Sequence, residues 1–399
     1  MDFKKIYHFN SFFLRKINRK LKYYFYSLIK YIFVLIPVNE KKIVFINFNG
    51  KGYGCNPKYI AQEIIRRDLH YELIWLVNNL TEKLPKRVSK ISFPSLRASY
   101  ELSTARVVVT NVKNQLHFIK KNNQYLIQTW HGSYALKYVE KEIEEKLSQK
   151  YVRESKVTDK MTDLVLSNGK AQTRWYKDTW WSPCEIFESG YPRNDILIWN
   201  DIKQKNSIKS RLGLSQNKRI ILYAPTFRDN GEQSAYDLDC RKILDYYNKD
   251  NSSGIILVRM HPNVSVYKEL FIFDDNVVDV STYPDMQELL LITDVLITDY
   301  SSSIFDFSLM GRPVFIFAND IEKYSEMRGL RPLFFNGLPY PICRSNEDLL
   351  IAMQRHTTGT DIKLAKKLLE EIGMHDDGNA SKYVVQKIEE LMETSRTRI

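Results

Sequence analysis

The chain has 399 residues, 44% of them hydrophobic, and a net charge of +12. That length allows two or three domains with large cores, and the apolar content excludes a disordered or collagen-like chain. The charge is uneven: residues 1–30 hold eight Lys and Arg against Asp2 alone, and so carry +7 of the +12. A uniformly basic nucleic-acid coat is disfavoured and a local basic arm is favoured. The four cysteines, Cys55, Cys184, Cys240 and Cys343, form no C-x-x-C pair. This argues against a disulfide framework and a structural zinc site, and fits a reducing cytosol.

Residues 1–40 read as a basic, aromatic amphipathic arm. Ile6, Phe9, Phe13, Ile17, Leu21 and Tyr24 recur at spacings of three and four, and Arg15, Lys16, Arg19, Lys20 and Lys22 crowd the other faces. Such a helix suits an anionic membrane surface, or else packs on the protein's own core. The apolar run 23–38 is interrupted by Lys30 and falls short of the ~20 residues a spanning helix needs. It has no small-x-small cleavage site, so no signal peptide is expected.

From residue 41 the pattern alternates. Runs at 41–48, 71–77, 105–111, 125–130 and 163–168 read as strands, with helical pieces such as 57–67 between them. The pattern restarts with runs at 218–226, 254–260, 276–281, 294–298 and 313–318, and helical stretches at 347–355, 361–373 and 379–395 close the chain. Near-continuous apolar strands imply parallel sheets covered on both faces. The expected fold is α/β, with two Rossmann-like, doubly wound domains facing a cleft. Residues 41–195 would form the first and 207–399 the second. The polar segment that begins GYPRND at Gly190 reads as a linker centred on 196–206.

In open α/β sheets ligands bind beyond the carboxyl ends of the strands. Four polar strand ends stand out: QTWHGS with His131, APTFRD with Thr226 and Arg228, VRMHPN with Arg259 and His261, and ITDYSSSIFDF with Asp299, Ser301, Ser302 and Asp306. His131 and His261 come from different halves, so a closed cleft would bring them to one substrate. Ser301 and Ser302 precede an apolar run, Ile304–Met310, that stops at Gly311. A helix starting there would aim its N–H groups at an anion, unless the serines merely cap it. Arg228 and Arg259 would add charge-assisted bonds to phosphate. Thr226, Arg228, Arg259, Asp299, Ser301 and Ser302 are the expected substrate-binding residues; Asp299 is also expected to orient the turn that follows it, and Asp306 to make a structural hydrogen bond. No metal site, Walker motif or G-x-S-x-G elbow is expected.

The segments QTWHGS, GYPRNDIL, YAPTFRD, RMHPN and LLLITDVLITDYSSSIFDFSLMGRPVFIF, in this order over roughly 41–345, resemble the CDP-glycerol glycerophosphotransferase family of teichoic-acid and capsule enzymes. The resemblance implies a GT-B-like fold. It also implies transfer of a polyol phosphate from a CDP-polyol to a hydroxyl of a polyprenyl-diphosphate-linked glycan or growing polymer, with release of CMP at the cytoplasmic membrane face. His131 and His261 match the family's two essential histidines, and Arg228, Ser301 and Ser302 match positions associated with the donor. Two segments depart from the family pattern, Ser133–Tyr138 after His-Gly and Leu330–Asn336 after Arg328-Gly329. The rival readings are a nucleotide-sugar glycosyltransferase of the same fold and a non-catalytic membrane-surface scaffold. The first is disfavoured because Asp299 and Asp306 stand where many retaining members carry Glu-x₇-Glu.

Overall fold

The computed structural model describes residues 30–113, 116, 118–228, 233–248, 253–261, 269–357 and 359–394. Most of the basic arm, residues 1–29, lies outside the described residues. Among those described, no helix is long and apolar enough to cross a membrane.

Two all-parallel sheets organise the chain. The first has strands β1 (Asn39–Ile46), β2 (Glu72–Val77), β3 (Val88–Ser92), β4 (Ala105–Thr110), β5 (Tyr125–Gln128), β6 (Leu164–Ser167) and β7 (Glu185–Glu188), in the order 3-2-1-4-5-6-7. The second has β8 (Arg219–Ala224), β9 (Gly254–Val258), β10 (Val277–Asp279), β11 (Val295–Thr298), β12 (Val314–Phe317) and β13 (Ile342–Cys343), in the order 10-9-8-11-12-13. Both orders reverse beside their first strand, between β1 and β4 and between β8 and β11. Those are the switch points where doubly wound sheets open a crevice. The central strands are buried at every position from Ile43 to Ile46 and from Ile220 to Ala224, as helices on both faces require.

The expected strands are all present. The structure adds β3, β7 and β13, each at a sheet edge. Their sequences, VSKIS, EIFE and IC, are too polar or too short to show an apolar run, because an edge strand is covered less fully than a central one.

Two features of chain organisation differ from expectation. The segment expected as a linker is ordered secondary structure. Pro192–Asn194 form a buried 3-10 turn, followed by helices Asp195–Trp199 and Ile202–Arg211. Asn200 breaks between them in the left-handed conformation, and Asp201 caps the second by accepting from Lys203 N at 2.8 Å. The final helix, Ala380–Glu393, returns to the first unit, not the second. Its Val384, Val385 and Ile388 share a core with Ile43, Phe45, Ile60 and Trp75. Its apolar stripe needs a partner, and the helix Cys55–Arg66 supplies one.

Ile388→Ala is expected to cost about 2–5 kcal/mol and to lower the denaturant midpoint of the first unit. A cost under about 1 kcal/mol would show that this helix does not belong to that core.

Candidate active site

The site grows from the two switch points. In the first sheet, Asn47 and Asn111 follow β1 and β4. Asn111 Nδ2 donates to Asn47 Oδ1 at 2.8 Å, and Phe48 N donates to Asn111 Oδ1 at 2.8 Å. The carbonyl of Asn111 then accepts from His131 Nδ1 at 2.8 Å. A carbonyl can only accept, so the proton sits on Nδ1 and the lone pair is on Nε2. The ring is held edge-on to Phe48 and against Trp130, with centroids at 5.4 and 4.6 Å. Trp130 in turn packs on Trp175 and Trp180.

This corner is strained. Phe48, Asn49, Cys55 and Trp130 all have positive φ. Non-glycine residues in that region cost about 1–3 kcal/mol each and gather at functional sites.

In the second sheet, Asp299 follows β11. Its Oδ1 accepts from Thr226 N at 2.8 Å and from Tyr300 N, and its Oδ2 takes Arg228 Nη2 at 2.8 Å. Asp320 holds the other edge of that guanidinium, through Nε at 2.6 Å and Nη2 at 3.0 Å, and Thr226 O accepts from Nη1. The rings of Tyr236, Tyr300 and Tyr324 surround it. Arg228 is therefore a buried tie between strand ends, and every nitrogen of its guanidinium is engaged. Two carboxylates neutralise its charge in this arrangement. Asp299 thus holds the turn that follows β11, and Thr226 contributes its main chain to the same network.

Arg259 differs. Its Nη1 donates to Tyr283 O at 2.9 Å, and among the described residues no carboxylate pairs with it within 4.0 Å. Burial pulls its pKa down to about 10, against the partial support of Asp285. Among the described residues, its charge is therefore less compensated than that of Arg228.

His261 is exposed beyond β9, with its ring 5.5 Å from that of Phe227. Burial beneath it and then the charges of Lys51, Lys137 and Arg259 depress its pKa. Two of those cations belong to the first unit, so His261 faces across the cleft. His131 is pushed down to about 4, first by burial, against the support of the Asn111 carbonyl. Arg193, Lys137 and His261 push in the same direction as burial. Each lobe's imidazole thus lies within the other's field or that of its neighbours.

Ser301 Oγ accepts from Ser303 N and Oγ. Ser302 Oγ stands 2.8 Å from where a Cβ on Gly132 would be, so a side chain after His131 would displace the Ser302 hydroxyl. The helix behind them is Ser303–Ser308, not Ile304–Met310. After Ser308 the chain tightens into i→i+3 bonds from Leu309, Met310 and Gly311. The helix has six residues, too few for a strong dipole, so what places these serines is contact with the His131 corner.

The deciding residue for lobe closure is one that looks structural in the sequence. Asp306 accepts from Ser133 Oγ at 2.6 Å, Arg193 Nη2 at 2.7 Å, Gln287 Nε2 at 2.9 Å and Asn194 Nδ2 at 3.3 Å. Arg193 Nη1 also donates to the His131 carbonyl, and Arg193 N donates to Asn56 Oδ1 at 3.1 Å. Asn56 Nδ2 donates to the carbonyls of Thr129 and Trp130. Arg193 and Asn194 were expected in the linker region. Only their burial reveals them as the clamp on His131. Beside it, Lys58 of the first unit lies buried between Asp285 and Glu288 of the second, at 2.5 and 2.7 Å. Burial alone would lower the Lys58 pKa, but the two carboxylates outweigh it.

The family model for CDP-glycerol:poly(glycerophosphate) glycerophosphotransferases matches residues 28–390. The chain belongs to this family. It is 31% identical to the teichoic acid poly(glycerol phosphate) polymerase of Bacillus spizizenii, over 93% of this chain and 97% of that one. It is 32% identical to the polymerase of the same name from Staphylococcus epidermidis, over 87% of this chain, but spans only 50% of that longer relative. Among solved structures it is similar to the wall teichoic acid polymerase TagF, at 31% identity and a TM-score of 0.81, covering 95% of this chain and 98% of that one. The glycerophosphotransferase fold therefore accounts for both sheets and the seam between them.

Asp306→Ala leaves Arg193 buried without its counterion and is expected to cost about 3–5 kcal/mol, read by chemical denaturation. A cost under about 1 kcal/mol would remove the clamp from this account. The depressed histidines place the acid limb of kcat/KM, which reports the free enzyme, well below pH 6.5. A limb at or above 6.5 would show that at least one of the two rings is not held neutral in the way described.

Proposed function

We propose that this protein transfers a polyol phosphate, most directly glycerol phosphate, from a CDP-polyol to a hydroxyl of a growing teichoic-acid-type polymer or lipid-linked glycan, releasing CMP. The observation that carries the reading is the pair of imidazoles, one from each lobe, held at the carboxyl ends of two Rossmann-like sheets in a chain of this family.

His131 acts as the base. Its Nδ1–H is pinned, so Nε2 takes the proton as the acceptor oxygen attacks the β-phosphorus. A positioned base supplies ~10²–10⁴ in rate. A base at about pKa 4 is weak in the empty cleft. The anionic donor offsets the cations that depress it and raises its basicity when substrate is bound. His261 and Arg259 stabilise charge on the phosphoryl oxygens and the departing CMP. Arg228, with Asp299 and Asp320, fixes the loop that carries Thr226. Ser301 and Ser302 line the same gap. The step as written uses no metal ion.

Residues 1–40, with their excess of cations, would hold the enzyme peripherally at the anionic cytoplasmic face of the membrane, where a polyprenyl-diphosphate-linked acceptor resides. Each cation near such a surface contributes about 1 kcal/mol.

His131→Ala and His261→Ala are each expected to lose at least ~10² in kcat while melting as the parent does. The assay is CMP release from CDP-glycerol, run beside UDP release from UDP-sugars. Near-normal turnover in either variant removes that residue from the chemistry, and UDP release without CMP release replaces the reaction with glycosyl transfer.

A further inference from the structure

The segment that departs from the family pattern after His-Gly carries a contact that neither histidine explains. Residues 136–138 of the first unit pair with residues 329–331 of the second as a short antiparallel strap. Lys137 and Leu330 are bridge partners, Arg331 N donates to Leu136 O at 2.8 Å, and Tyr138 N donates to Gly329 O at 3.3 Å. Gly329 is required there. Its φ is +72°, and a Cβ would lie 2.5 Å from the Tyr138 ring. Arg331 closes the strap by pairing with Glu142.

The strap also sends one side chain across the seam to the second unit. Lys137 Nζ donates to Tyr324 OH at 3.2 Å, and Tyr324 stacks on Tyr300 with centroids 3.8 Å apart. The charge of Lys137 reaches both imidazoles, His131 in its own unit and His261 in the other.

We infer that Lys137 is a catalytic residue, the ammonium that contacts the transferring phosphoryl group between His131 and His261. The inference rests on the proposed phosphotransfer. In that step the acceptor oxygen forms a bond to the β-phosphorus, and the bond from that phosphorus to the bridging oxygen breaks. The bonding pair leaves on CMP, and the hydroxyl proton passes to His131 Nε2. Lys137 makes no covalent bond. It meets the charge that spreads over the equatorial oxygens, and main-chain bonds and a tyrosine hold it ready, so little reorganisation is needed when that charge develops.

Lys137→Met keeps the length and the main-chain strap but removes the charge. It is expected to lower kcat by about 10²–10³, with the Kd for CDP-glycerol by calorimetry, and the melting midpoint, close to the parent's. Lys137→Arg is expected to recover at least about tenfold over Lys137→Met, because it restores a cation. Three results would overturn the inference. The first is Lys137→Met turnover within about fivefold of the parent. The second is a loss confined to KM, which would make the lysine an anchor for ground-state donor. The third is a lowered midpoint with Lys137→Arg no better than Lys137→Met, which would make it part of the strap alone. A parent enzyme that releases no CMP from any CDP-polyol would overturn the proposed reaction and this inference together. An active parent with an equally active Lys137→Met overturns only the inference.

Discussion

The structure depends on one buried ion pair. Arg193 and Asp306 are both almost fully buried and meet at 2.7 Å across the two halves of the chain. A buried pair gains little net stability over an apolar contact of the same shape, but it fixes geometry, because each charge must find its partner in one orientation. Here that orientation is consequential. The same guanidinium that meets Asp306 also grips the carbonyl of His131, so one side chain ties the register between the lobes to the position of His131.

Around that pair the two sheets solve the same problem with different chemistry. At the first switch point two amides, Asn47 and Asn111, bond to each other and leave a carbonyl for the imidazole. At the second, a guanidinium and two carboxylates bond to each other and leave a main-chain loop in place. Arg228 is consumed in that arrangement, and Arg259, one strand away, keeps its charge uncompensated by any described carboxylate. The cleft is thus cationic without being uniformly basic. This suits a diphosphate donor, whose charge must be held while one of its bonds breaks. The strained residues Phe48, Asn49, Cys55 and Trp130 lie on the first-lobe side. There the surrounding packing over-determines the backbone, at a cost recovered elsewhere in the fold.

Much of this was legible in the residues. Buried central strands are written as β-branched runs because both faces are covered, and each run read as a strand between residues 41 and 318 contains one. His131 and His261 could be found because ligands of open α/β sheets bind beyond the carboxyl ends of the strands. Edge strands β3, β7 and β13 were not legible, since partial exposure lets Val88–Ser92 and Glu185–Glu188 be polar. Arg193 and Asn194 read as loop residues, because an Arg-Asn-Asp run after a proline has the composition of a solvated turn. Asp306 was legible as a hydrogen-bonded helix residue, but its partners lie 112 to 173 positions earlier in the chain, apart from Gln287.

The sequence by itself determined the two sheets, the positions of the chemistry-bearing side chains at their strand ends, and the family. Those follow from local periodicity and short motifs, which the chain states directly. Tertiary structure alone decided which charges remain available. Arg228 and Arg259 are the same residue type at similar strand ends, yet one is neutralised by Asp299 and Asp320 and the other meets no carboxylate within 4.0 Å among the described residues. It also decided that the last helix belongs to the first unit, and that Lys137 reaches across the seam to the second unit from a strap spanning both lobes. Each of these depends on partners far away in the chain, and a pairwise contact of that kind leaves no periodic trace in the residues that make it.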